Sequence, residues 1–161
     1  MSTMRAKKNL TRPFKKKAKV RNLTRGHLKM KSSLETACYD ALKEAKLDFE
    51  YEGETFVLQE SFRYPGVYYK STKGSDVMKD ATGNVVLPVK YTPDFVSHKH
   101  KFIIETKGWV PTQHTFPLRW KMFLKYLMDN DMNDYLLFIP KNKKQIASAI
   151  KTILYEVQGI K

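Results

Sequence analysis

Apolar residues first recur at helical spacing at Leu34, Ala37, Cys38, Ala41, Leu42 and Ala45, which predicts an amphipathic helix running to about Lys46. Ser32 or Ser33 stands where an N-cap belongs, and Glu35 follows Ser32 at the spacing of a capping box. From Phe49 to Leu58 the period changes to two: Phe49, Tyr51, Thr55 and Val57 alternate with Glu50, Glu52 and Glu54, the pattern of a strand. Residues 59–86 keep no period. Tyr64-Pro65-Gly66 and Thr82-Gly83-Asn84 are turn signals there, and Val67-Tyr68-Tyr69 and Val85-Val86-Leu87 read as short strands, so one or two hairpin excursions are expected. Two more strands lie within residues 91–108, joined by the polar turn Ser97-His98-Lys99-His100. Pro93 suits a strand entrance. Pro111 and Pro117 bracket the start of a helix with Phe116, Trp120, Phe123, Leu124 and Leu127 on one face and Arg119, Lys121 and Lys125 on the other. Asp134 to Ile139 reads as a fourth strand stopped by Pro140. Asn142 then caps a last helix, in which Ile146, Ala149, Ile150, Ile153, Leu154 and Val157 keep the helical period. Helix, three strands, helix, strand, helix is the order of an α/β domain whose central mixed sheet is flanked by helices.

The formal net charge of +14 alters this picture through its placement. Residues 1–31 hold twelve Lys or Arg and no Asp or Glu, whereas the rest of the chain holds eighteen basic against sixteen acidic residues. With no sustained apolar period, residues 1–31 read as a flexible basic arm and residues 32–161 as the folded domain. So one-sided a charge points to a polyanionic partner, nucleic acid first, whose phosphates the arm neutralises. Lys70, Lys73 and Lys79 among the tyrosines of 59–86 suit the same partner, or equally an ordinary surface loop. The single cysteine, Cys38, excludes an intrachain disulfide and a cysteine-rich zinc module, and its helical face marks a buried structural thiol. No apolar run approaches the ~20 residues that span a bilayer, and no secretory signal precedes the domain; a soluble, intracellular protein is expected.

The candidate chemistry is concentrated in residues 91–108. Asp94 follows Pro93 at the mouth of one strand, and Phe102-Ile103-Ile104 runs straight into Glu105-Thr106-Lys107. Strand alternation projects Glu105 and Lys107 from one face and Thr106 from the other. Two carboxylates on adjacent strands, with the Thr106 carbonyl between Glu105 and Lys107, are the oxygen donors a hard divalent cation takes, together with water and substrate phosphate. Lys107 then has two possible jobs, helping to deprotonate an attacking water or stabilising transition-state charge, and the neighbouring carboxylates favour the second. An acid-x-Lys triplet is common in charged proteins, so an ordinary surface pair is the competing reading. Glu35, likewise, reads on its own as a helix cap. His98, His100 and His114 lack the Cys or spaced His of a zinc site. Trp109 and Trp120 read as packing, and no Gly-rich phosphate loop is present.

Pro93-Asp94 followed by Glu105-Thr106-Lys107 resembles the signature of the PD-(D/E)xK nuclease superfamily. Tyr91-Thr92-Pro93-Asp94-Phe95 and Ile104-Glu105-Thr106-Lys107-Gly108 resemble, more closely, the bacteriophage endonuclease I type of Holliday-junction resolvase. Ser33-Leu34-Glu35 and Phe49-Glu50-Tyr51-Glu52 resemble the same family in the same order, so the likeness covers about residues 32–109. It implies a restriction-endonuclease-like core, with Glu35, Asp94, Glu105 and Lys107 as catalytic residues. Asp94, Glu105, Glu35 and Thr106 would lie around Mg²⁺ or Mn²⁺. It further implies a domain-swapped homodimer that nicks four-way DNA junctions, phage-encoded and acting in a bacterial cytoplasm. Residues 59–89 are longer than the family's usual link between its first strand and the Tyr-Thr-Pro-Asp-Phe strand, which is where a dimer-bridging strand would lie. Competing readings are a nicking or restriction-type endonuclease on linear duplex DNA, and a nucleic-acid-binding protein without catalysis.

Overall fold

A computed structural model describes residues 23–107 and 115–158. In chain order, a short hairpin of β1 (Thr24–Arg25) and β2 (Leu28–Lys29) leads into helix α1 (Ser33–Glu44) and strand β3 (Glu50–Tyr51). Strands β4 (Phe56–Gln59), β5 (Phe62–Arg63), β6 (Tyr69–Lys70), β7 (Lys79–Asp80), β8 (Val85–Val86) and β9 (Val89–Tyr91) follow. The chain ends with β10 (Phe95–Ser97), β11 (Phe102–Ile104), α2 (Phe116–Asp129), β12 (Leu136–Phe138) and α3 (Lys143–Gln158). No helix among the described residues is long and apolar enough to cross a membrane.

The central sheet has the order β12-β11-β10-β3, and only the β11–β12 pair is parallel. It is the expected mixed sheet. Both inner strands are buried on both faces, so alternation sorts their side chains between two cores rather than between core and water. Phe95, Phe102 and Ile104 pack with Cys38 and Leu42 of α1 and Ile146, Ile150 and Ile153 of α3. Val96 and Ile103 pack on the other face with Phe123 and Leu127 of α2. The result is a three-layer α/β/α arrangement.

The helices follow the expected signals with small shifts at their ends. Ser32 caps α1, its Oγ accepting from the Glu35 amide at 3.1 Å. The helix stops at Glu44 rather than Lys46, because Lys46 takes a left-handed conformation (φ 55°) and Leu47 turns back to donate to the Leu42 carbonyl. Asn142 caps α3, accepting from the Gln145 amide at 3.0 Å. Pro117 sits in the first turn of α2, where no amide donor is needed; Pro111 lies outside the described residues. Leu124 and Val157, expected on apolar faces, are exposed.

Two larger expectations change, and one is narrowed. The strand expected over Phe49–Leu58 is two strands in different sheets, β3 pairing with β10 and β4 with β9. The chain turns at Glu52 (φ 47°), whose amide bonds the Asp94 carbonyl, and at Gly53, where a Cβ would collide with the Glu50 side chain. Of the one or two hairpin excursions expected, residues 56–91 form one, a long antiparallel ribbon in which β4–β9, β5–β8 and β6–β7 are nested pairs. The two turn signals lie across from one another: Ala81 donates to the Tyr68 carbonyl, and Arg63 donates to the Gly83 carbonyl. They interrupt the pairing of both strands at one level without ending the ribbon. Finally, residues 23–31 are not part of a loose arm. They form the β1–β2 hairpin over α1, with Gly26 at φ 60° in the turn, Met30 fully buried, and Arg25 forked onto Asp40 through two 2.5 Å hydrogen bonds. Residues 1–22, the rest of the expected basic arm, lie outside the described residues.

Candidate active site

The edge-to-edge pairing of β10 and β11 brings Asp94, just before β10, beside Glu105 and Thr106, just after β11. Beyond Ile104 the chain stays along β12: the Glu105 amide donates to the Phe138 carbonyl and the Lys107 amide to the Pro140 carbonyl, both at 3.0 Å. The intervening Thr106 amide therefore faces Asp94, and donates to its Oδ2 at 2.7 Å; the Thr106 hydroxyl adds a second bond at 2.6 Å. In extended chain the amide and carbonyl of one residue point to the same side, so the Thr106 carbonyl faces Asp94 too. Glu105 and Lys107 share the other face as expected, with Lys107 Nζ 2.5 Å from Glu105 Oε1.

Glu35 arrives from the first turn of α1. It is buried, and its Oε2 accepts from the Lys31 amide at 2.8 Å and from the Tyr51 hydroxyl at 2.6 Å. Its carboxylate thus serves the helix entrance and also lies near Asp94, whose proton affinity it raises. Burial is the main cause that pushes the Asp94 carboxyl up to about 7; the Glu105 charge adds to it, and the two Thr106 donors pull against it. The four sequence-predicted residues, Glu35, Asp94, Glu105 and Lys107, therefore meet at one end of the sheet.

Two tyrosines join them. Tyr91 donates its hydroxyl to Glu105 Oε2 at 2.8 Å, and Tyr51 does the same for Glu35. Burial, then the Glu105 charge, raise the Tyr91 phenol above its ordinary value; burial, then its bond to Glu35, raise Tyr51. Both remain donors at neutral pH. Sequence reasoning counted Tyr51 as a strand residue and both only as members of motifs, because each partner lies 14 or 16 positions away. Beside Glu105 opens a cleft of about 340 Å³ with Lys31, Lys90, Lys107 and Arg119 on its walls, and the Phe116 ring lies 4.1 Å from Lys107 Nζ.

No family model, curated protein or solved structure matches this chain. The resemblance to phage resolvases accordingly rests on the motif residues alone. Asp94, Glu105, Glu35 and the Thr106 carbonyl are hard oxygen donors whose negative charges crowd one another, which suits a divalent cation. As they stand they do not form a cage: both Glu105 oxygens are held by Lys107 and Tyr91, and among the described residues no three acidic, His or Cys side chains are disposed to hold a metal. A cation would displace Lys107 from Glu105. The Lys107 side chain is thus held between a carboxylate and a ring.

The other candidates lie elsewhere. His98 is at the opposite end of β10, bonded to Tyr135 at 2.6 Å and 3.0 Å from Glu54, and His100 follows it in the same turn. Trp120 packs against Tyr91 and Phe123, in keeping with a packing role. Trp109, Gly108 and His114 lie outside the described residues.

Proposed function

We propose that the chain is a metal-dependent DNA endonuclease with a restriction-endonuclease-like core, selective for branched DNA such as a four-way junction. The observation that carries the reading is the Asp94–Glu105 pair, with Glu105 buried and Asp94 half-buried beside it, which is electrostatically costly and has no packing use. Asp94, Glu105 and the Thr106 carbonyl, with Glu35 alongside, would hold Mg²⁺ or Mn²⁺, which would supply Lewis acidity and lower the pKa of water. The protein's own groups do the remainder. Thr106 fixes Asp94, Tyr91 and Tyr51 fix the two glutamates, and Lys107 offsets charge that builds on the phosphoryl oxygens as the phosphodiester opens to 5′-phosphate and 3′-hydroxyl ends. Basic residues elsewhere, the segment 1–22 included, bind the DNA backbone.

The partner on the ribbon, in the same proposal, is a second copy of the chain. Val67, Val77 and Leu87 are 70%, 76% and 77% exposed, with Phe62, Tyr69 and Met78 also open to solvent. An isolated two-stranded ribbon is marginal in water, and so much apolar surface calls for a protein cover. A self-complementary contact would set two sites for paired nicks. Sedimentation is expected to show a dimer that becomes a monomer when Val67, Val77 and Leu87 are each replaced by Glu. A monomeric wild-type protein would contradict paired nicking. The nuclease assignment itself is tested by Glu105→Gln and Lys107→Ala: cleavage surviving in both would sink it.

A further inference from the structure

The cleft beside Glu105 carries more positive charge than its own acids balance. Of its four cations, Lys31 is paired with Glu52 and Lys107 with Glu105. Lys90 and Arg119 are in no ion pair among the described residues, although Glu105 and Glu52 share the cleft with them. Both are exposed, so neither is held by packing. They are also placed by rigid elements. Lys90 lies in β9, next to the Tyr91 that holds Glu105. Arg119 lies one turn along α2 from Phe116, the ring beside Lys107, so both project from one side of the helix. The two free cations thus face the same space as the charged end of Lys107.

We infer that Lys90 and Arg119 form a subsite for the phosphodiester neighbouring the one that is cut. The inference rests on the nuclease reading for the identity of the anion, and adds to it the path of the strand: across the cleft, between the base of the ribbon and the first turn of α2. A phosphate carries its charge on non-bridging oxygens open to approach from two sides, which suits a guanidinium fork on one wall and an ammonium on the other. A strand held on two successive phosphates is fixed in register, whereas one held at Lys107 alone could slide. Lys90 and Arg119 are therefore binding residues that position the substrate.

The test is binding of a fluorescein-labelled four-way DNA junction in EDTA, titrated over a series of salt concentrations. The proteins are the full-length wild type, the double variant Lys90→Ala/Arg119→Ala, and the charge-retaining double variant Lys90→Arg/Arg119→Lys. Each phosphate left without its cations lowers the slope of log K against log salt by about 1, so the alanine pair, which frees the one neighbouring phosphate, should be shallower by about 1. The charge-retaining pair should keep most of the slope, and all three proteins should melt alike. An unchanged slope in the alanine pair, an equal loss in the charge-retaining pair, or no binding by the wild type would overturn the inference. Because binding is read without metal, the two claims can fail separately. A slope change in a protein that does not cut when Mg²⁺ is added leaves the subsite and removes the nuclease. Cutting with an unchanged slope does the reverse.

Discussion

Asparagine in place of Asp94 is expected to abolish cleavage and, in the metal-free protein, to raise stability. Cleavage should fall by roughly 10³-fold or more, since a neutral amide is a poor ligand for a hard cation and each tenfold loss is about 1.4 kcal/mol of barrier. The gain in stability follows from linkage. The Asp94 carboxyl is pushed up to about 7 from an ordinary 3.8, by burial first and the Glu105 charge second. Below about pH 4 the group is protonated in both folded and unfolded chains and carries no penalty. As the pH rises to about 7 the unfolded chain releases its proton while the folded one retains it, so stability is lost across that window. At and above neutral pH the loss is on the order of a few kcal/mol. The amide of Asp94→Asn cannot titrate, and its oxygen still accepts from Thr106. Thermal melts of the two proteins in EDTA should therefore coincide near pH 4 and separate as the pH rises, with the variant the more stable. Mg²⁺ should narrow the gap by stabilising the wild type alone. Parallel melting curves at every pH would show that Asp94 is an ordinary surface acid.

Truncation at the N-terminus has a second large effect, which depends on where the cut is made. Removal of residues 1–22 takes away nine Lys or Arg and no acid. It should weaken DNA binding and flatten the salt dependence, by about 0.9 in slope for every phosphate the segment neutralises, while leaving the melting temperature unchanged. Removal of residues 1–31 goes further into the fold. It deletes fully buried Met30, the Arg25 fork on Asp40 and the Lys31 amide that bonds Glu35. Loss of a buried methionine alone costs about 2–5 kcal/mol, so the longer deletion should melt markedly lower. Equal stability of the two truncations would show that the hairpin does not pack on α1. An unchanged salt slope in the shorter one would show that residues 1–22 do not touch phosphate.

What could be read in the chain follows from how local the interactions are. Strand alternation placed Glu105 and Lys107 on one face and Thr106 on the other, and the hydrogen bonds keep that arrangement. The helical periods of α1 and α3 marked the residues that cover the sheet, because each depends only on near neighbours in sequence. The turn at Glu52 was hidden, since the apolar alternation continues through Gly53 and Thr55 while the backbone takes a positive φ that leaves no mark on the pattern. The break in the ribbon's pairing was hidden for another reason. Pro65-Gly66 and Thr82-Gly83 look like two turns, and only the pairing of Tyr69 with Asp80 and Arg63 with Val85 shows that they sit across from each other. Tyr51 read only as an alternating strand residue and Tyr91 only as part of the Tyr-Thr-Pro-Asp-Phe motif, because the hydroxyl's partner is set by tertiary structure. Lys90 and Arg119 were visible as charges but not as neighbours.

The central claim is a metal-dependent, structure-selective nuclease built on Asp94 and Glu105. The most direct measurement incubates an end-labelled four-way junction and its linear duplex arms with the full chain in Mg²⁺, with Glu105→Gln as the control. Symmetric nicks in the junction, little or no cutting of the linear arms and none by the variant are expected. Equal cutting of linear DNA would contradict structure selectivity, and cutting by Glu105→Gln, or none by the wild type with either Mg²⁺ or Mn²⁺, would contradict the site itself.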